Sequence, residues 1–262
     1  MRTRNRTLPL LAALVLLPSC VVGERHDVTV RRQWPAAGIQ RVEVRGVNGD
    51  LRVEASRSSQ ISLVADVKAR GIDPTTDENR GYFETTIENG TLRIVQKKKM
   101  LRGAFPFAAG TKLEIDYALQ VPQSLALDLT TVNGRIATRG TLGETHLKSV
   151  NGTIDSQIDS ADSFEATTVN GRIRATFLTD FRGASLKTVN GGVVAALPAT
   201  ASFTCDLSQV NGDFEASFPL SIHSHPGRRR VSGEVNGGRY ELQITTVNGN
   251  VRVEHAAGAA GR

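Results

Sequence analysis

A β-solenoid, an all-β fold of stacked turns about 20 residues long, is what three features of this 262-residue chain predict. The first is the stretch Thr131-Val132-Asn133-Gly134, whose copies return at Asn151-Gly152, Asn170-Gly171, Asn190-Gly191 and Asn211-Gly212. Successive asparagines lie 18, 19, 20 and 21 residues apart, the spacing of a repeat whose units bury their apolar faces only against neighbours. The second is an alternation of apolar and polar residues on both sides of each copy, which reads as strands with one buried face. The third is composition. With 25 glycines and 5% aromatics, the chain suits short strands and many turns better than helices.

Asn236-Gly237 and Asn248-Gly249 close the series, Asn48-Gly49 stands far upstream, and Asn89-Gly90 is a degenerate relative. Gly adopts positive φ without steric cost and Asn tolerates it, so Asn-Gly between apolar alternations marks a tight reversal of strands. These pairs are therefore read as structural turns. Counted from Asn as zero, positions −6 and −4 hold Leu127 and Leu129, Phe164 and Ala166, Cys205 and Leu207, and Leu242 and Ile244. Position +3 holds Ile136, Ile154, Ile173, Val193, Phe214 and Val251; position +7 holds Ile158, Phe177, Leu197 and Phe218. All of these are expected to point inward.

The alternative architecture is an antiparallel β meander, with each Asn-Gly a two-residue hairpin. A hairpin would set the Val at −1 on the wet face, where nothing demands Val each time. A solenoid corner tucks that Val inside, and Ser or Thr at −2 (Thr131, Ser149, Thr168, Thr188, Thr246) forms a hydroxyl row bonding across the stack. The near-constant period favours the solenoid.

In chain order, residues 1–19 read as a signal peptide. Arg2, Arg4 and Arg6 form its basic start, and Leu8 to Leu17 form an apolar run too short to span a bilayer. Leu17-Pro18-Ser19-Cys20 is similar to a bacterial lipobox, which makes Cys20 the expected lipid attachment site. Val21 and Val22 follow it without an Asp, so the outer membrane is expected in a cell with two membranes. Residues 20–27 are a tether, 28–255 the solenoid domain and 256–262 a disordered tail. The formal charge of +6 falls by those three arginines when the signal is removed, which weakens any case for a polyanion partner from charge alone. An exported chain does not meet nucleic acid. Cys205, the other of two cysteines, lies on an inward alternation and is expected to be a small buried hydrophobe.

Two stretches break the rhythm. Lys97-Lys98-Lys99 with Arg102 leads an aromatic-containing loop, and Arg228-Arg229-Arg230 falls in the 25-residue interval between Asn211 and Asn236. Both are candidates for contact with an anionic surface. His223 and His225 lie in the same insertion without a third ligand nearby, and it reads as a polar loop bulging from the stack. The last interval, Asn236 to Asn248, spans 12 residues, so the final turn is expected to cap the stack.

From Val121-Pro122 onward, Leu125, Leu127 and Leu129 lead into Thr130-Thr131-Val132-Asn133-Gly134 and Ile136. The chain closes on Gly233-Glu234-Val235-Asn236-Gly237-Gly238 and Leu242-x-Ile244-Thr245-Thr246-Val247-Asn248-Gly249. This pattern resembles the DUF4097 family of bacterial envelope proteins, called adhesins on conjecture. The resemblance implies a β-helix-like fold and no agreed activity, and its motif is structural. The residues themselves offer no carboxylate pair with a basic partner, phosphate-binding glycine loop, nucleophile elbow or metal-spaced set. No catalytic residue, cofactor or metal is expected. The function expected is a non-enzymatic envelope lipoprotein acting as an adhesin or a binding or scaffold module. The alternative is an envelope-stress sensor, with a carbohydrate-active β-helix enzyme behind both. Expected partners are the membrane, through the lipid, and an anionic envelope polymer, lipid or another envelope protein.

Overall fold

The computed structural model describes residues 25–70, 82–97, 112–225 and 228–256. They form β1 (Arg25–Pro35), β2 (Arg41–Arg45), β3 (Leu51–Ser56), β4 (Gln60–Arg70), β5 (Phe83–Glu88), β6 (Thr91–Gln96), β7 (Lys112–Pro122), β8 (Ala126–Asn133), β9 (Ile136–Asn151) and β10 (Ile154–Asn170). There follow β11 (Ile173–Phe177), β12 (Ala184–Asn190), β13 (Val193–Leu197), β14 (Phe203–Asn211), β15 (Phe214–Ala216), β16 (Ser221–His225), β17 (Arg228–Val235), β18 (Tyr240–Asn248) and β19 (Val251–His255). The fold is all-β, and the described residues contain no helix.

All nineteen strands join one curled sheet with two limbs. One limb runs β5-β6-β2-β8-β9-β10-β12-β18-β14-β17-β16; the other runs β1-β4-β7-β3-β9-β10-β11-β13-β19-β15. The long strands β9 and β10 belong to both, because each starts in the second limb and ends in the first. Through the middle, equivalent positions of successive repeats pair in parallel: Asn133 with Asn151, Asn151 with Asn170, Asn170 with Asn190. The Asn-Gly corners are therefore stacked, not hairpins. Asn89-Gly90 is the exception: it joins antiparallel β5 and β6 with φ of 48° and 71°, the left-handed pair a two-residue hairpin demands.

The core follows the predicted alternation. Leu127, Leu129, Ile136, Ile154, Ile158, Ala166, Ile173, Val193, Leu207 and Ile244 are buried. Toward one end the filling becomes aromatic: Phe164, Phe177, Phe181, Phe203 and Phe218 meet edge to face, with ring centroids 5.0 to 5.9 Å apart. Cys205 is buried, and its apolar surroundings with the nearby Asp206 push the thiol up to about 12.

Four expectations are corrected. The Val at −1 is outside: Val132, Val150, Val169, Val189, Val210 and Val247 are 36–42% exposed. Alternation decides this, because with −6, −4 and −2 inward, −1 must face out whatever its hydrophobicity. Second, the last turn does not cap the stack. β18 inserts between β12 and β14, and β19 between β13 and β15, so the chain end is interior. Third, the 25-residue interval is no bulging loop; β16 and β17 form an antiparallel hairpin that extends the limb beyond β14. Fourth, β1 begins at Arg25, inside the expected tether, and pairs from Arg25 with Arg70 onward.

Candidate functional site

Each corner is held by three interlocking rows. Side-chain amides form a ladder in which each Asn donates Nδ2 to the Oδ1 of the preceding one, at 2.8–2.9 Å, in the spatial order Asn48, Asn133, Asn151, Asn170, Asn190, Asn248, Asn211. Such a ladder satisfies every amide oxygen that has a neighbour, as in other in-register parallel stacks. Beneath it runs the buried hydroxyl row. Thr131, Ser149, Thr168, Thr188 and Thr246 donate to the carbonyls of Gly49, Gly134, Gly152, Gly171 and Gly191, at 3.1–3.4 Å. Gln209 takes the same place at the end, with Nε2 2.7 Å from the Gly249 carbonyl. A buried hydroxyl needs such a partner, which explains Ser or Thr at −2.

The third row is the glycines. A Cβ on Gly134, Gly152, Gly171, Gly191 or Gly249 would sit 1.9–2.0 Å from the neighbouring Gly carbonyl oxygen. Their φ is not positive, nor is that of the ladder asparagines; close approach, not left-handed backbone, requires Gly there. Asn236-Gly237 keeps the left-handed geometry, with φ of 50° and 86°, and stands outside the ladder. Its Asn236 amide bonds the carbonyls of Ala199 and Ala201 instead.

The lipid-attachment candidate Cys20 and the basic candidates Lys98, Lys99 and Arg102 lie outside the described residues. Lys97 follows β6, its Nζ 4.0 Å from Glu84. Arg228, Arg229 and Arg230 lie on β17, where Arg229 donates to Gln209 Oε1 at 3.1 Å and to the Gly212 carbonyl at 2.8 Å. Arg229 thus ties the end of the stack to its last corner, while Arg230 is exposed. His223 and His225 sit on β16, their backbones opposite Arg230 and Arg228. Among the described residues no three His, Cys, Asp or Glu side chains converge as a metal site.

Three carboxylates of the sheet, Glu43, Asp116 and Glu144, are each paired with a cation. Burial would raise Glu43, but Arg93 at 2.8 Å and Arg45, in contact with its other oxygen, hold it below the usual range. Burial opposes Asp116 likewise, and the Asp50 amide at 2.8 Å with Lys68 at 2.7 Å overcomes it. Glu144 is lowered by hydrogen bonds from His146 and Arg41.

One surface feature was not legible in the sequence. On the second limb, Arg52 and Glu54 of β3, Arg135 and Arg139 beside and on β9, Asp155 and Gln157 of β10, and Arg174 and Thr176 of β11 surround Ala137 in an open depression of about 420 Å³. Arg52 is paired with Asp50 at 2.8 Å and Arg135 with Asp155 at 2.9 Å. These residues lie up to 124 positions apart in the chain, and only the parallel register collects them.

An all-β protein built on one curled sheet with a ladder-built corner motif is the class these observations define. The chain belongs to the DUF4097 family, described as Toastrack DUF4097, whose model matches residues 26–254. Similar solved structures include one from Clostridium sporogenes, provisionally named a cell adhesion protein (10% identity, 88% of this chain and 100% of that one covered, TM-score 0.46). Another is from Bacteroides fragilis, provisionally named an adhesin (10% identity, 86% and 97% covered, TM-score 0.32). A third, from Parabacteroides distasonis, is provisionally named a lipid binding protein (12% identity, 86% and 96% covered, TM-score 0.30). No curated protein matches this chain.

Proposed function

We propose that the chain is a non-enzymatic binding or scaffold module of the bacterial cell envelope, lipidated at Cys20 and carried on a β-solenoid. The in-register parallel pairing of Asn133, Asn151, Asn170 and Asn190 supports the solenoid reading. What carries the binding reading is the stripe of six half-exposed valines, Val132 to Val247, stacked one per turn beside the Asn ladder. A contiguous apolar stripe on an exposed sheet face is surface that a partner covers, whereas isolated exposed valines need no explanation. The non-enzymatic reading draws support from the lowered carboxylates: Glu43, Asp116 and Glu144 are held ionised, the opposite of a general acid poised near neutral pH. The envelope address rests on the run ending in Leu17-Pro18-Ser19-Cys20.

The test is co-sedimentation of the full chain with purified envelope. Val150→Ser/Val169→Ser/Val189→Ser should lose retention while keeping its fold; retention equal to wild type would mean that the stripe is not the interface. In cells, Cys20→Ala should shift the protein from the membrane to the soluble fraction. Unchanged partitioning, with no acyl mass on the wild-type N-terminal peptide, rules out the lipid anchor.

A further inference from the structure

The depression on the second limb gathers more cations than carboxylates. Within it four guanidinium groups face two carboxylates. Asp155 is committed to Arg135 and Arg52 is bound to Asp50, while Arg139 and Arg174 make no ion pair among the described residues. Both are exposed. Ala137 creates the space, because the row across the limb reads Arg52, Ala137, Asp155, Arg174 and its one small residue leaves a floor between long side chains.

We propose that this depression binds an acidic saccharide segment, with Arg139 and Arg174 taking its carboxylate or phosphate groups. This rests on the binding-module reading and gives it a site and a ligand class. A planar guanidinium engages an oxyanion with two parallel hydrogen bonds, and an unpaired one is free to do so. Arg139 lies on β9 and Arg174 on β11, two strands apart, so their rows are about 10 Å from each other. That is the reach of a short sugar chain, not of one small ion. The polar groups between them suit hydroxyls: Glu54 accepts, and Gln157 and Thr176 both accept and donate. The volume, about 420 Å³, is within the range of small-molecule sites. No apolar side chain larger than Val53 lines it, which favours a sugar over a lipid tail.

The test titrates the purified full chain with polygalacturonate, with neutral dextran, and with vesicles of phosphatidylglycerol in phosphatidylcholine. Arg139→Gln/Arg174→Gln should weaken binding to polygalacturonate about tenfold or more, since each lost contact is a charge-assisted hydrogen bond. Its melting temperature should match wild type, because both side chains are exposed. Lys148→Gln/Lys187→Gln removes the same charge from the other limb and should bind like wild type. Equal weakening by the two variants would reduce the attraction to general charge and overturn the site. So would unchanged binding by the arginine variant, dextran binding as tight as polygalacturonate, or binding to vesicles alone. A wild type that ignores the polymer but still sediments with envelope refutes this site alone. One that does neither refutes the binding-module reading as well.

Discussion

The Cα of Gly171 lies so close to the carbonyl of Gly152 that a Cβ would sit 2.0 Å from the oxygen. Backbone stands on both sides of that contact, so neither partner can turn away. Gly171→Ala should therefore cost about 3 kcal/mol, the upper end of ordinary overpacking. Gly237 has φ of +86° and open space, with nothing within 4 Å of where a methyl group would sit. The same change there should cost only about 1 kcal/mol. Chemical denaturation of the two variants decides it; equal costs would mean that backbone conformation, not the stacking contact, is what the corner glycines serve.

Thr168 and Val169 are neighbours with opposite environments. Thr168 is buried and donates to the Gly152 carbonyl at 3.1 Å, whereas Val169 is 39% exposed. Thr168→Val should cost about 1–2 kcal/mol for the lost bond and unsatisfied carbonyl. Val169→Thr should change stability by less than about 0.5 kcal/mol. A larger loss at Val169 than at Thr168 would reverse the assigned facing of the corner.

Glu43 supplies a pH dependence. Its folded value is held below the ordinary 4.5 by Arg93 and Arg45 against the opposing effect of burial. A depressed carboxylate contributes stability that is fully present above its unfolded value and is lost as pH falls through its folded value. Melting temperature should thus decline as pH drops below about 4.5, and Glu43→Gln, less stable at neutral pH, should decline less steeply. Parallel slopes for the two proteins would show that Glu43 does not carry this dependence.

Much of the fold was legible because repetition amplifies local signals. Leu127 and Leu129 alone are ambiguous, but the same alternation around each later Asn-Gly identifies the inward face. The hydroxyl row was legible for the same reason. The Val at −1 misled because its hydrophobicity outweighed its place in the alternation, although Thr131 inward already requires Val132 outward. The role of the corner glycines misled as well, since Asn-Gly serves a left-handed hairpin at Asn89 and a tight parallel stack at Asn170.

By itself the sequence determined that the chain is all-β, where its strands alternate, which side chains fill the core and which residues make the corners. These are properties of a few neighbouring residues: a period of two, a Gly, a hydroxyl. Tertiary structure alone decided the order of the turns. β18 pairs with both β12 and β14, and β2 with both β6 and β8, because identical corners offer identical hydrogen bonds and local sequence cannot rank one neighbour above another. The same order decided the surface, bringing Arg52 of β3 across β9 and β10 to Arg174 of β11 and leaving Ala137 as the floor between them.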